Sequence, residues 1–343
     1  MAEKVRMADV AAEAHVSRTT ASYVLSGQEH GIPRATQDRV WQAARRLGFR
    51  PNRLAQRLAG QRSGLVGLVV PDISSPFFSA LVAQVQHGVR RREAHLLPEI
   101  APSPYGDWLW QAAVDRLLGW QVDGLLLWSW SAAAAGGETA ELLAAATDVP
   151  LVLLGQESLN VADMAAAYVD FAAGTTELVR HLLAMGHRRL AFVGYRSPAT
   201  DERAAAYGDV RARTTAELAA AAGGQAELVA VNGPEEARAW AARACRDATA
   251  IVCLNDPLAL AVWRGLRDAG LAVPHDVSLV SCDGSWAGGH LDPELTRLET
   301  DFAALADAAL ALLWQRLEGT ERTAARSVLP RLVMGGSARE RRE

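Results

Sequence analysis

The chain has 343 residues, half of them apolar and 22% charged, so it is long enough for two or three domains with a substantial core. No stretch approaches the roughly 20 apolar residues of a membrane span, and no apolar signal-peptide core opens the chain. Three cysteines, at positions 245, 253 and 282, lack CxxC spacing. We therefore expect a cytoplasmic protein with reduced thiols and no membrane partner.

The net charge of −4 hides an asymmetry between the two ends of the chain. Residues 1–62 contain 11 Lys and Arg against 5 Asp and Glu, a net charge of +6. The remaining residues carry a net charge of −10. A basic N-terminal segment followed by an acidic remainder of the chain is typical of a nucleic-acid-binding domain attached to a second functional unit.

The segment from Val5 to Ser26 predicts two short helices joined by a tight turn. We expect Asp9 to cap the first helix and Ser17 to cap the second, which runs from Arg18 to Leu25. The residues Ala14-His15-Val16 form the predicted turn. Buried Ala21, Val24 and Leu25 would leave an exposed face rich in Arg and hydroxyl groups, which suits a DNA major groove. The alternative is a surface helix pair with no partner.

A third helix and a candidate hinge complete the basic N-terminal segment. Thr36 is the predicted N-cap of the third helix, and Gly48 ends it. The segment Pro51–Gly60 begins with a helix-starting proline and carries two leucines one turn apart. It is too short to be stable alone, which predicts a hinge helix that orders against DNA or a partner subunit. The alternative is a polar linker.

From Gly64 onward, apolar strands alternate with amphipathic helices. This pattern predicts an α/β core of parallel doubly wound sheets, and the number of units favours two stacked lobes with a break near residues 160–169. In open parallel sheets a ligand lies outside the carboxyl ends of the strands, so the expected site is the cleft between the lobes. No sequence signature of a catalytic, metal or nucleotide site is present. We expect neither an enzyme nor a cofactor or metal site.

Several motifs together resemble one known family. MADVAAEAHVSRTTASYVLS, LVGLVVPDISSPFF, MGHRRLAFVG, LNDPLALAV and PELTRLETDF occur in family order along essentially the whole chain. They resemble the lactose-repressor (LacI/GalR) family of bacterial transcription regulators. The resemblance implies a homodimer that binds a pseudo-palindromic double-stranded operator, most simply as a repressor, and a core like periplasmic sugar-binding proteins that holds a small effector, expected to be a carbohydrate.

The domain organisation follows from the same resemblance. Residues 1–50 would form the helix-turn-helix headpiece, residues 51–62 the hinge helix, and residues 63–343 the effector-binding and dimerisation core. Within the core, lobe one would comprise about 63–166 plus 300–326, and lobe two about 167–299 plus 327–343. The tail carries no leucine heptads, which favours a dimer over a tetramer.

The resemblance also assigns candidate residues. Bases would be read by Arg18 and Thr19 with Tyr23 close by, phosphates would be held by Ser17, Thr20, Ser22 and Arg6, and Asn52 and Leu58 would act in the hinge, where Leu58 would wedge into the central base step. The effector would be bound by polar groups and aromatic faces. That set comprises Ser75, Phe77, Phe78, Trp128, Arg203, Asn255, Asp283 and Phe302.

Some of these assignments have alternatives. The two phenylalanines could be core residues, Asn255 and Asp283 could cap turns and helices, and Arg203 could form a surface ion pair. Gly155 and Phe171 stand where the family commonly has an acid and an asparagine. Because of these departures a second interpretation stays open, namely a regulator whose degenerate pocket does not respond to a small effector. A transport receptor is disfavoured by the basic N-terminal segment.

Overall fold

The computed structural model of the chain describes residues 5–25, 31–49, 62–101, 109–129, 149–155, 164–196, 209–243, 247–320 and 324–341. The chain divides into two compact units, Met1–Ser63 and Gly64–Glu343. No helix in the described ranges combines the length and apolarity that a membrane crossing requires. The predicted hinge helix, including Asn52 and Leu58, lies outside the described residues, as does Arg203.

The first unit contains three helices, α1 (Met7–Glu13), α2 (Arg18–Leu25) and α3 (Arg34–Leu47). Their small apolar side chains form one shared core, in which Val10, Val24 and Val40 are fully buried. Because each helix is short, this shared burial is what makes the three helices stable.

The helix ends correct two predicted caps. Asp9 is not the N-cap of α1 but its third residue, and its Oδ2 accepts a hydrogen bond of 2.7 Å from the backbone N–H of Arg6. Thr36 likewise lies inside α3, which begins two residues earlier, after Pro33. In both cases the chain already has helical geometry before the polar residue that served as the signal. The predicted end of α3 is confirmed, since Gly48 has a φ of 67°.

The first sheet of the second unit has the strand order β11-β5-β4-β3-β1-β2, and all its pairs are parallel. Alternate residues of β1 enter two different core clusters, Leu68 one and Val69 the other. A strand covered on both faces explains the continuous apolar run that predicted it. Its strands are β1 (Leu65–Val70), β2 (His95–Ile100), β3 (Gly124–Ser129), β4 (Leu151–Gly155), β5 (Ala165–Val169) and β11 (Ala325–Val328).

The second sheet has the order β12-β10-β9-β8-β6-β7, and only the β10–β12 pair is antiparallel. Its core forms a single cluster that includes Phe192, Ile251 and Leu279. Its strands are β6 (Arg189–Tyr195), β7 (Gln225–Val231), β8 (Ala250–Cys253), β9 (Ser278–Gly284), β10 (Thr296–Glu299) and β12 (Arg331–Val333).

Helices connect these strands and cover the sheets, as the alternation predicted. The first sheet has α4 (Pro76–Arg90), α5 (Leu109–Gly119) and α10 (Phe302–Leu317). The second has α6 (Phe171–Ala184), α7 (Val210–Ala221), α8 (Pro234–Arg243) and α9 (Asp256–Asp268), with a 3₁₀ turn at Trp286–His290. The chain passes between the sheets after β5, β10 and β11. Because β5 and β11 belong whole to the first sheet, the lobe boundaries fall a few residues later than expected.

The sequence-based prediction lacked four strands, namely β2, β5, β10 and one of the two strands that follow α10, where a single last strand was expected. The strand β2 contains Pro98 and is largely half-exposed, which is tolerated because β2 lies at the sheet edge. The strand β5 begins with three alanines, a residue type that favours helices. The strand β10 has only four residues, two of them charged. Pairing with neighbours, rather than local preference, makes these segments strands.

Candidate functional site

The turn between α1 and α2 orients the second helix. His15, in the predicted turn, has a φ of 54°, a left-handed backbone conformation that His adopts more readily than most residues. The Oγ of Ser17 accepts a hydrogen bond of 3.0 Å from the backbone N–H of Thr20, so the predicted cap of α2 is present. The two hydroxyl groups also contact each other at 2.8 Å. This pair closes the start of α2 at the end that would approach a nucleic acid.

The two faces of α2 differ in burial. Ala21, Val24 and Leu25 are buried against the other two helices. Arg18, Thr19 and Ser22 are exposed, Tyr23 is 48% exposed and Thr20 is half-buried. Arg6, just before α1, is also exposed. The described candidates for DNA contact therefore lie on or beside one open helical face, which can enter a major groove without disturbing the core.

In the second unit, polar side chains lie in a row at the carboxyl edge of the second sheet. Tyr195 ends β6, Asn255 follows β8, and Asp283 lies near the end of β9, and these three strands are neighbours. Asn255 Nδ2 donates to the hydroxyl oxygen of Tyr195 at 3.3 Å. A row of amide, phenol and carboxyl groups offers the mixed donors and acceptors that a polyhydroxyl ligand needs.

Two of these side chains also act as caps, which is the alternative that the sequence left open. Asn255 Oδ1 accepts from the backbone N–H of Leu258 at 3.1 Å, and Asp283 Oδ1 accepts from that of Asp256 at 2.9 Å. Both contacts hold the first turn of α9 against the strand edge. A side chain fixed in this way is held in one orientation before any ligand binds.

Asp283 is a buried acid with an unusual environment. Burial and the neighbouring carboxylate of Asp256 raise the pKa of Asp283 well above its ordinary value, although Arg211 partly opposes the shift. Asp256 is itself fully buried, and its Oδ2 accepts from the N–H and hydroxyl groups of Ser285 at 2.7 and 2.6 Å. The raised pKa favours a neutral Asp283, which can both donate to and accept from a hydroxyl group.

Arg211 was not among the predicted site residues, yet the fold buries it close to the predicted ones. Its side chain is 2% exposed and forms a bidentate ion pair with Asp209, with Nε–Oδ1 and Nη2–Oδ2 distances of 2.9 and 2.7 Å. Burial would raise the pKa of Asp209, but the charge and hydrogen bonds of Arg211 outweigh it and lower that pKa. The predicted arginine, Arg203, lies outside the described residues.

Arg211 also contacts an aromatic ring that packs into the core of the first sheet. Its guanidinium carbon lies 4.6 Å from the ring centroid of Phe171, the residue with which the chain leaves the first sheet. Such a cation–π contact is strongest when both groups are shielded from water, as here. The Asp-x-Arg spacing of Asp209 and Arg211 is visible in the sequence, but Arg211 is not recognisable as buried without the tertiary structure.

The predicted aromatic residues form a cluster at the carboxyl edge of the first sheet. Phe77 lies at its centre, with ring-centroid distances of 5.2 Å to Phe78, 5.3 Å to Trp128, 4.9 Å to Phe302 and 6.4 Å to Phe171. Phe77, Phe78 and Trp128 are only 5–6% exposed. Ser75, at the N-cap of α4, is half-buried beside them. In this conformation the phenylalanine pair is core, and the rings cover one another.

The family relationships rest on matches along the chain. The model described as "Bacterial regulatory proteins, lacI family" matches residues 6–52, and a "Periplasmic binding protein-like domain" matches residues 179–338. The HTH-type transcriptional regulator MalR of Streptomyces coelicolor is 34% identical, covering 97% of this chain and 96% of its own length. The chain belongs to the lacI family. It is therefore a DNA-binding transcriptional regulator with a sugar-binding type of core, as the resemblance implied.

Solved structures agree with the fold of this lacI-family member. The Lac repressor dimer bound to operator and the anti-inducer ONPF is 24% identical, with a TM-score of 0.82 over 98% of this chain and 100% of that one. The transcriptional regulator CelR in complex with cellobiose is also 24% identical, with a TM-score of 0.66 and the same coverage. At this identity the likeness shows the architecture, a headpiece followed by a two-sheet core.

Proposed function

We propose that this lacI-family protein is a repressor that binds a pseudo-palindromic operator as a homodimer, and that a carbohydrate bound between the two core lobes controls its operator affinity. One observation carries the proposal. An exposed face of α2 carries Arg18 and hydroxyl groups, in the same chain that aligns Tyr195, Asn255 and Asp283 at the edge of a parallel sheet. Relatives named as a Lac repressor dimer and a cellobiose complex support each half.

Control of DNA binding by a ligand requires that the ligand favour one conformation of the core over another. In the proposed mechanism the ligand takes its hydrogen bonds from the polar row of the second sheet. Closure of the cleft then changes the surroundings of the contact between Phe171 and Arg211, because both residues lie in the first turns of helices of the second sheet while the Phe171 ring packs into the core of the first. The headpieces and the hinge residues Asn52 and Leu58 respond through the dimer.

Replacing Arg18 with alanine is expected to weaken binding to the specific operator by about 1–3 kcal/mol, because a guanidinium group that bonds a guanine at two points contributes about that much discrimination. The measurement is a titration of operator and of random-sequence duplex, at two salt concentrations, with a site first selected from genomic fragments.

The matched control for Arg18→Ala is Arg45→Ala, which removes the same exposed charge from α3. That variant is expected to weaken binding to the operator and to the random duplex about equally, because Arg45 acts through general attraction to phosphates. If Arg18→Ala also weakens binding to both duplexes equally, Arg18 does not read bases.

Replacing Asp283 with asparagine is expected to abolish the ligand response while leaving folding and operator binding intact. The amide oxygen can still accept from the N–H of Asp256, and the raised pKa of Asp283 means that its surroundings disfavour the charged form. Toward the ligand, the amide presents an NH₂ group that donates but cannot accept, whereas either oxygen of a carboxyl group can accept. The measurement is thermal unfolding with a carbohydrate library, in which a ligand at 100 times its Kd stabilises the protein by about 2.7 kcal/mol.

The control for Asp283→Asn is Asp268→Asn, a partly exposed acid at the end of α9 whose partner is Arg238. It is expected to retain the full ligand-induced shift. A normal response in Asp283→Asn would place the effector elsewhere. A wild-type protein that binds operator but responds to no carbohydrate would favour the regulator with a degenerate pocket.

A further inference from the structure

A cavity of about 550 Å³ lies at the amino-terminal edge of the second sheet, far from the proposed effector site. Arg189, which begins β6, and Ser278, which begins β9, line it. Tyr195 and Asp283 lie at the other ends of the same two strands. Because a strand of this length spans about 20 Å, the cavity is separate from the carboxyl edge. Its volume is in the range of small-metabolite sites.

The charges that line this cavity are mostly positive. Four arginines, Arg189, Arg243, Arg339 and Arg341, face two carboxylates, Asp276 and Glu340. One of the carboxylates is engaged, since Asp276 Oδ2 accepts from the N–H of Ala272 at 2.7 Å. A local excess of positive charge contrasts with the net charge of −10 on the chain beyond residue 62.

Among the described residues, none of the four guanidinium groups has a carboxylate partner, and that of Arg339 bonds His275 instead. Arg189, Arg243 and Arg341 are exposed, and none forms an ion pair within 4.0 Å among the described residues. Arg243 lies in the last turn of α8, where the helix dipole by itself favours a cation. That explanation does not apply to Arg189 at a strand start or to Arg341 in the C-terminal segment.

Hydrogen bonds hold in place the part of the cavity lining that lies between these arginines. His187 is 3% exposed and joins two segments, with Nδ1 3.0 Å from the hydroxyl of Thr249 and Nε2 3.1 Å from the carbonyl oxygen of Arg339. The backbone N–H of Arg339 donates to the hydroxyl of Ser278 at 3.1 Å, and its Nη1 lies 2.7 Å from Nδ1 of His275. The C-terminal segment is thereby fixed against the sheet edge, which positions Arg341.

We propose that this cavity is a second ligand site, for a small organic anion that carries at least two phosphate or carboxylate groups. Planar guanidinium groups pair with both kinds of group through two parallel hydrogen bonds. Arginines on three separate elements, a strand start, a helix end and the C-terminal segment, surround one space that a small metabolite fills. A ligand with two or more anionic groups contacts them simultaneously, whereas a single chloride-sized ion contacts only one.

The test is isothermal titration of the full-length protein at constant ionic strength, with inorganic triphosphate as the phosphate probe and citrate as the carboxylate probe. We expect saturable binding of at least one probe, at one site per chain. Arg189→Gln and Arg341→Gln are each expected to weaken binding about tenfold, the usual effect of losing a charge-assisted hydrogen bond. Both arginines are exposed, so the variants are expected to fold, and their unfolding temperatures verify this.

Three controls separate this site from other binding. Arg180→Gln removes an exposed arginine of α6 that does not line the cavity, and it is expected to leave binding unchanged. Arg45→Gln tests whether the probe binds the basic headpiece, and Asp283→Asn tests the effector site. Retained binding in all three supports the proposal. Absence of saturable binding, or a loss in any of these controls equal to that in Arg189→Gln, overturns it.

Discussion

Replacing Asp209 with alanine is expected to lower the free energy of unfolding by about 3–5 kcal/mol, because it leaves the guanidinium group of Arg211 buried without a counter-charge. Arg211 is only 2% exposed, and its Nε and Nη2 atoms both donate to the carboxylate of Asp209. The carboxylate also accepts from the backbone N–H of Arg211 at 2.9 Å and so caps α7. Since a quarter of the Asp209 side chain is exposed, water can partly replace it, which places the effect toward the lower value.

Two companion variants separate the contributions to this loss. Asp209→Asn keeps the cap and removes the charge, so its cost measures the ion pair. Asp268→Ala removes a carboxylate from the pair with Arg238, whose side chains are 41% and 36% exposed, and should cost at most about 1 kcal/mol. Chemical unfolding followed by circular dichroism provides the measurement. If Asp209→Ala loses no more free energy of unfolding than Asp268→Ala does, the guanidinium group of Arg211 is solvated.

The same pair predicts how stability depends on pH. Because Arg211 lowers the pKa of Asp209 in the folded protein, the pair stabilises the fold above the unfolded carboxyl pKa of about 3.9. That contribution is lost as the pH falls through the lower pKa of the folded state. Wild-type protein is therefore expected to lose more stability between neutral pH and acid than Asp209→Ala does.

Replacing Phe77 with alanine is expected to cost about 3–5 kcal/mol, the usual range for deleting a buried aromatic ring. Four aromatic rings surround Phe77 with centroids 4.9–6.4 Å away, so its removal leaves a cavity that these neighbours cannot easily fill. Phe77→Leu keeps most of the apolar volume and should cost much less. Unfolding midpoints of the three proteins, with and without benzene, are the measurement, since a dry apolar cavity binds benzene.

This experiment also decides between the two interpretations of the aromatic cluster. If Phe77 is a core residue, both the apo protein and its ligand complex lose stability equally in Phe77→Ala. An apo protein of unchanged stability that has lost its ligand response would instead identify the ring as part of an open binding surface.

Some elements follow from local sequence alone. The helix Phe302–Leu317 follows the predicted alternation, and the Asp301 carboxylate caps it by accepting from Ala304 N–H at 2.9 Å. The continuous apolar run of β1 predicted a strand covered on both faces. Both signals lie within a few residues of the element they specify. By contrast, the strand with three alanines, β5, is recognisable only from its pairing with β4 and β11.

The candidate site divides in the same way. The family resemblance assigned Asn255 and Asp283 to the effector site, and both lie at the carboxyl edge of the second sheet, where ligands of open parallel sheets bind. Tyr195 and Arg211 were missed. Tyr195 meets Asn255 only because β6 and β8 are neighbours in the sheet, and Arg211 is buried only because α7 packs against the Phe171 end of α6.

The sequence by itself determined the helix-turn-helix headpiece, the alternation of strands and helices in the core, and the membership of the lacI family. These depend on periodicities, caps and motifs that are local in the chain. Only the tertiary structure decided which side chains meet: the aromatic residues that cover one another, the ion pair of Arg211, and the arginines that face one cavity. Burial and charge pairing depend on contacts between residues far apart in sequence, and the order of strands in each sheet sets those contacts.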